Sequence, residues 1–136
     1  MTLTEEQIEL IRESYKLLKP EVEEASEIFY HRLFEIAPEV RPLFSSDMAG
    51  QGMRFMNTLG VILRDIDDEA ALESYLQQLA EGHAAYGVKH EHFRLMGQAL
   101  IATMRETLGD RFPEGAAAAW EAAYDHLADE MIRLGA

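Results

Sequence analysis

The sequence predicts an all-α fold of about six or seven helices around a pocket, and three observations carry that expectation. Apolar residues recur at helical spacing through every long segment, and none shows sustained period-2 alternation. The four prolines fall at the joints between those segments. The chain has 136 residues, 48% apolar and 27% charged, which suffices for one domain with its own core and is too short for two. A single domain over residues 1–136 is expected.

Taken in order, Thr4-Glu5-Glu6-Gln7 fits a capping box, with Thr4 as N-cap and Gln7 three residues later. Ile8, Ile11, Tyr15 and Leu18 then trace one face of a helix to Lys19, where Pro20 stops it and opens the next. Val22, Ala25, Phe29 and Leu33 form the second stripe, with Tyr30 and Phe34 beside it, and Pro38 ends that helix. Pro38 to Pro42 leaves room for about one helical turn, followed by Leu43-Phe44 and a polar loop. A third helix is expected from near Gly50 to about Ile66, with Gln51, Phe55, Leu59 and Ile62 on one face. Asp67-Asp68 can cap the fourth helix, which carries His83 and has Gly87 as its stop. The fifth runs from about His90 to Leu108 with Phe93, Met96, Leu100 and Met104 inward, and Gly109 closes it. Pro113 lies in the first turn of the last helix, whose inward residues are Trp120, Tyr124, Leu127, Met131 and Leu134.

Lys and Arg total 12 against 25 Asp and Glu, a net charge of −13. That charge opposes binding to nucleic acid or to anionic membranes. No apolar run approaches the roughly 18 residues of a membrane span, and the N-terminus lacks a basic, signal-like region. The absence of cysteine excludes disulfides and thiolate metal sites and suits a reducing cytoplasm.

His83 is the first candidate for chemistry. Leu79, Leu76 and Leu72 stand at i−4, i−7 and i−11 from it, so the imidazole points where the leucines point. A buried imidazole must satisfy both nitrogens. A backbone carbonyl can do so, which is the usual fate of a lone core histidine, or a metal ion can take one nitrogen. Two more polar residues lie on or beside apolar faces: Tyr30 abuts Phe29 and Leu33, and Gln51 shares a face with Phe55. Hydroxyl and amide can both donate hydrogen bonds. Singly, each reads as a peripheral polar residue; with an inward histidine on another helix, they are expected to form two sides of one ligand site. The inward Met and aromatic residues are otherwise core.

Several stretches together resemble a known family: Phe29-Tyr30, Leu33-Phe34, Pro38-Glu39-Val40-Arg41-Pro42-Leu43-Phe44, Gln51 with Phe55, His83 with Tyr86-Gly87-Val88, His92-Phe93-Arg94-Leu95-Met96-Gly97, Leu108-Gly109 and Ala119-Trp120-Glu121-Ala122-Ala123-Tyr124. The chain resembles bacterial single-domain globins, relatives of the globin domain of flavohaemoglobins and of bacterial haemoglobin. The resemblance implies a globin fold around a non-covalent haem b. It implies His83 as the axial ligand to the iron, Phe44 packed on the haem face, and Tyr30 with Gln51 as the polar pair on the ligand side. Phe55 would take the apolar position there, one often held by leucine. Arg54 would reach a haem propionate or stand as a surface charge. Tyr86, Val88, Phe93, Met96 and Tyr124 would complete the cofactor's surroundings.

That chemistry is coherent. A neutral imidazole on one side of the iron leaves the other open to oxygen, carbon monoxide or nitric oxide. A hydroxyl and an amide in a dry pocket stabilise the partial negative charge of bound oxygen. Three departures from the resemblance bear on function. Phe93 replaces a tyrosine and Gly135 a glutamate, so a hydrogen-bonded pair behind the histidine is missing. The loop between Phe44 and Gln51 is short, which leaves Gln51 room to sit differently. The chain ends at Ala136 without a flavin or nicotinamide domain, so any catalytic cycle would need a separate reductase. Reversible oxygen binding in the cytoplasm is therefore expected ahead of the alternative, nitric oxide dioxygenation. A haem-free helical interaction module is the third reading, disfavoured by the joint presence of Tyr30, Phe44 and His83. Of the remaining histidines, His31, His90, His92 and His126, most are expected at the surface or at helix caps.

Overall fold

The computed structural model describes residues 3–43, 48–85 and 90–135; within them the side chains of Leu43, Met48, Ala49, Gln51, Glu69, residues 82–85 and His90 are not described. Among the described residues there are six α-helices and no strand. They are α1 (Glu5–Leu18), α2 (Val22–Ile36), α3 (Met48–Arg64), α4 (Glu69–Ala85), α5 (His90–Leu108) and α6 (Glu114–Arg133). No helix among the described residues is long and apolar enough to cross a membrane.

The helix ends follow local chemistry. The Thr4 hydroxyl accepts from the Gln7 amide at 3.0 Å and the Gln7 side chain accepts from the Thr4 amide at 2.9 Å, the reciprocal bonds of a capping box. Pro20 sits in a 3-10 turn, Lys19–Glu21, that links α1 to α2. Between Pro38 and Leu43 the chain makes a longer 3-10 stretch than the single turn expected, running through Pro42. Pro38 opens that stretch, where no amide donor is required, whereas Pro42 lies inside it and leaves one acceptor without an amide partner. Helix α3 starts and stops two residues before the expected bounds. Asp68 alone of the acidic pair caps α4, accepting from the Ala71 amide at 3.2 Å, while Asp67 turns to Arg12 at 3.4 Å. Gly109 leaves α5 at φ +54, a left-handed value that favours glycine. Pro113 is the N-cap of α6 rather than its first helical residue. Gly87, the expected stop of α4, lies outside the described residues.

The packing has one dominant layer. α5 packs on α2 and α6, α6 also packs on α1, and α3 lies on α2. The small residues Ala116, Ala117 and Ala119 are buried and bring α6 close to its neighbours. α4 packs on α6. The buried core falls into two clusters. The larger joins Ile11, Phe29, Leu33, Met56, Leu100, Met104 and Trp120. The smaller joins Ile62, Leu72, Leu76, Phe93 and Met131, at the end where the turn after α3 leads into α4.

Glycine decides how closely α3 approaches α2. A Cβ on Gly52 would stand 2.6 Å from Ser26 Cβ and 3.0 Å from the Tyr30 ring. Gly52→Ala should therefore destabilise the chain by about 1–3 kcal/mol through overpacking. Gly115→Ala is the control, since its Cβ would meet only Leu10 Cδ1, at 3.7 Å, and should stabilise by up to about 1 kcal/mol. Urea unfolding of the two variants should shift the midpoint in opposite directions at constant slope.

Candidate functional site

Tyr30 stands at the middle of the candidate site. The α2 stripe turns it inward beside Phe29, and only 6% of its surface is exposed. Its ring meets Phe29 edge-on at 5.3 Å and stacks on Phe34 at 5.9 Å. Burial pushes its hydroxyl pKa up to about 12, against the opposing pull of the Arg54 charge. The group is thus a protonated hydrogen-bond donor throughout the neutral range.

Phe55 comes to the same place from α3, stacked on Phe29 at 4.6 Å and 13° and only partly buried. Phe29 thereby bridges the two elements that carry Tyr30 and Phe55. Arg54 is exposed, yet its charge reaches the Tyr30 hydroxyl. Gln51 lies one turn before Phe55 in the helical backbone of α3, so both positions are on one face; its side chain is not described.

The leucine stripe lies on α4. Leu72 and Leu76 are buried and Leu79 is partly buried, as the stripe predicts. The helical backbone continues through Ala85, which puts position 83 one turn beyond Leu79 on the same face. The His83 side chain is not described, and Phe44, Tyr86 and Val88 lie outside the described residues. Among the described residues, α3 and α4 share the small cluster through Ile62, Leu72 and Leu76 beside their turn, but they are not a closely packed helix pair.

The remaining candidates divide between the two clusters. Phe93 belongs to the smaller one, while Met96, one turn later on α5, is partly buried against the larger. Tyr124 lies across Gly97, where a Cβ would come within 2.7 Å of the ring. It lines a groove of about 390 Å³ between α5 and α6 with Arg94, Gln98, Ile101 and Glu121. Burial raises its hydroxyl pKa beyond the ordinary tyrosine range, and the Asp125 charge adds to the effect. The structure thus brings Tyr30, Phe29, Phe55 and Arg54 together and places Phe93 and Tyr124 elsewhere on α5 and α6.

His92 is a correction to the surface or capping role expected of most such histidines: it is 6% exposed. It shares the inward face of α5 with Met96, Ala99 and Thr103, at i+4, i+7 and i+11. Gly52, Gly60 and Tyr15 were not singled out as site residues. A signal for them exists, since glycines eight apart inside one helix each cost about 1 kcal/mol and call for a close neighbour.

Residues 27–131 match the family model described as Globin. The chain belongs to the globin family. It is 30% identical to a flavohemoprotein of Vibrio cholerae over 96% of its own length and 34% of that protein. It is 32% identical to a flavohemoprotein of Bordetella pertussis, over 90% of this globin and 31% of the relative. An anaerobic nitrite reductase of Arabidopsis thaliana is 32% identical, with 92% of this globin and 89% of the plant protein covered. This globin therefore spans about a third of the length of the flavohemoproteins it matches. The six helices are the helices of a globin fold.

The raised Tyr30 pKa sets a pH dependence. An unfolded tyrosine ionises near 10, whereas Tyr30 in the folded chain does so at about 12. Its contribution to stability is complete below about pH 10 and is lost as pH rises towards 12. Rapid-mixing ultraviolet titration of the folded chain should lose one ionisation near 12, and none near 10, in Tyr30→Phe. Loss of the step near 10 would place the hydroxyl in water.

Proposed function

We propose that this globin binds a non-covalent haem b in the cytoplasm, between the α3 wall and α4, and through it binds oxygen and other diatomic gases reversibly. The observation that carries the reading is Tyr30, buried and protonated in the neutral range beside the Phe29–Phe55 stack. Three features fit a flat apolar group at that place. The core is divided in two, Phe55, Met96 and Leu79 are apolar yet keep partial exposure, and α3 and α4 are not closely packed among the described residues. The haem, when bound, supplies the iron to which the gas attaches.

The chain's own residues supply the rest. His83 would hold the iron through one imidazole nitrogen, and Phe44 would pack on the ring. Tyr86, Val88, Phe93, Met96 and Tyr124 would complete the surroundings on that side. Tyr30 would donate a hydrogen bond to the gas, Gln51 would support it, and Phe55 would exclude water. Arg54, exposed and close enough to act on Tyr30, suits a contact with a propionate at the rim.

Nitric oxide dioxygenation with a separate reductase is the second reading, favoured by the likeness to flavohemoproteins. It would use the same Tyr30 and Gln51. Reversible binding is preferred because Phe93 is buried among apolar residues and Gly135 has no side chain. Neither position offers the phenol or the carboxylate of a hydrogen-bonded pair.

His83→Ala should purify without stable haem and fail to retain it on reconstitution; a full haem complement with an unchanged visible spectrum would assign the ligand elsewhere. Tyr30→Phe keeps the ring and removes only the hydroxyl. A hydrogen bond to a charged acceptor is worth roughly 1.5–3 kcal/mol, so oxygen affinity should fall about ten- to a hundredfold, mostly through faster dissociation. Carbon monoxide gathers less negative charge and should lose far less. Stopped-flow dissociation of both gases checks this, and equal losses would indicate a collapsed pocket.

A further inference from the structure

The proposed binding reading leaves open what holds α3 at its height. One face of that helix carries Gly52, Met56 and Gly60, each four residues apart; the next carries Gln51, Phe55 and Leu59, rotated by about 100°. The first face is the seat. Gly52 rests on Ser26 and Tyr30 of α2, and Met56 is fully buried. At Gly60 a Cβ would come 2.7 Å from the Tyr15 hydroxyl of α1. That hydroxyl donates a 2.7 Å hydrogen bond to the Met56 carbonyl. The Arg12 guanidinium, one turn earlier on α1, donates to the Leu63 carbonyl at 3.0 Å near the far end of α3. Helix α1 therefore grips the backbone of α3 at Met56 and Leu63.

We propose that Tyr15 is a positioning residue for the ligand side of the site: by holding the Met56 carbonyl beside Gly60, its hydroxyl sets where α3 presents Gln51 and Phe55 to Tyr30. A helix moves as a rigid rod over a few turns, so a shift at Met56 is passed to its neighbour Phe55 and to Gln51 one turn further back. The inference rests on the gas-binding reading for its functional consequence, while the hold on α3 stands on the contact alone.

Two variants break the contact from opposite sides. Tyr15→Phe deletes the hydroxyl. Gly60→Ala leaves it in place and pushes it off the Met56 carbonyl, in a residue type that favours the helix. In the full chain, either should speed amide hydrogen exchange across residues 52–60 relative to α5 and α6; unchanged protection there overturns the proposal, whether or not haem is bound. In the haem-loaded protein, oxygen should leave about two- to tenfold faster, the change one neutral hydrogen bond carries. The carbonyl stretching band of the carbon monoxide complex should shift or broaden. Ile101→Val loosens α5 at its outer groove and should change neither oxygen release nor the band. If it moves the band as far as Tyr15→Phe does, the effect is general loosening and the proposal fails. A chain that takes up no haem refutes the binding reading, and hydrogen exchange then decides the role of Tyr15. A chain in which Tyr30→Phe speeds oxygen release and Tyr15→Phe does not keeps the reading and refutes the positioning role.

Discussion

Gly52 has no Cβ, and Ser26 and Tyr30 stand where one would be. That near-contact of α3 with α2 is the constraint from which the cluster of Tyr30, Phe29 and Phe55 follows. It brings Phe55 within stacking distance of Phe29, and it closes the Tyr30 ring off from water. The cost is a glycine inside a helix, about 1 kcal/mol of propensity. The compensation is burial of large aromatic surface, worth more than that for each ring. Because interiors are close-packed, the arrangement has little freedom to adjust: one added carbon must displace a serine, a tyrosine ring, or the helix itself.

Exclusion of water has an electrostatic consequence. A phenol in water titrates near 10, while the Tyr30 hydroxyl is held up to about 12 because its charged form would lie in an apolar setting. The same low polarity that keeps the proton on oxygen also strengthens any hydrogen bond the hydroxyl makes. Arg54 works in the other direction from the rim, and the outcome shows that desolvation outweighs its charge. The exposed ion pairs are a separate matter. Arg32 with Glu106 at 3.0 Å and Arg105 with Glu114 at 2.7 Å tie helices at the surface. Such pairs contribute about 0–1 kcal/mol each, so they add little to the packing described above.

Helices α3 and α4 differ in how they are held. α3 is seated on α2 and gripped by α1 through main-chain carbonyls, contacts that fix its backbone directly. α4 is held by side-chain packing on α6 and by the short turn through Asp68. Hydrogen bonds to a carbonyl are directional and short, whereas apolar contact is non-directional.

The sequence by itself determined the helices, most of their ends and the inward faces, because spacing, prolines and caps act over one or two turns and are written locally. Thr4 with Gln7, Asp68 at the start of α4 and Gly109 at the end of α5 are all legible in that way. It also singled out Tyr30 and Phe55, which the structure brings together around Phe29, and carried the globin family likeness through motifs along the whole chain. Only the tertiary structure decided that Phe29 joins them, that His92 is buried, and that Tyr15 and Arg12 reach across forty or more residues to carbonyls of α3. A carbonyl is the same in every residue, so no side-chain pattern announces which one will receive a bond. The two glycines that make room for those contacts read as helix defects until the neighbouring helix is in place.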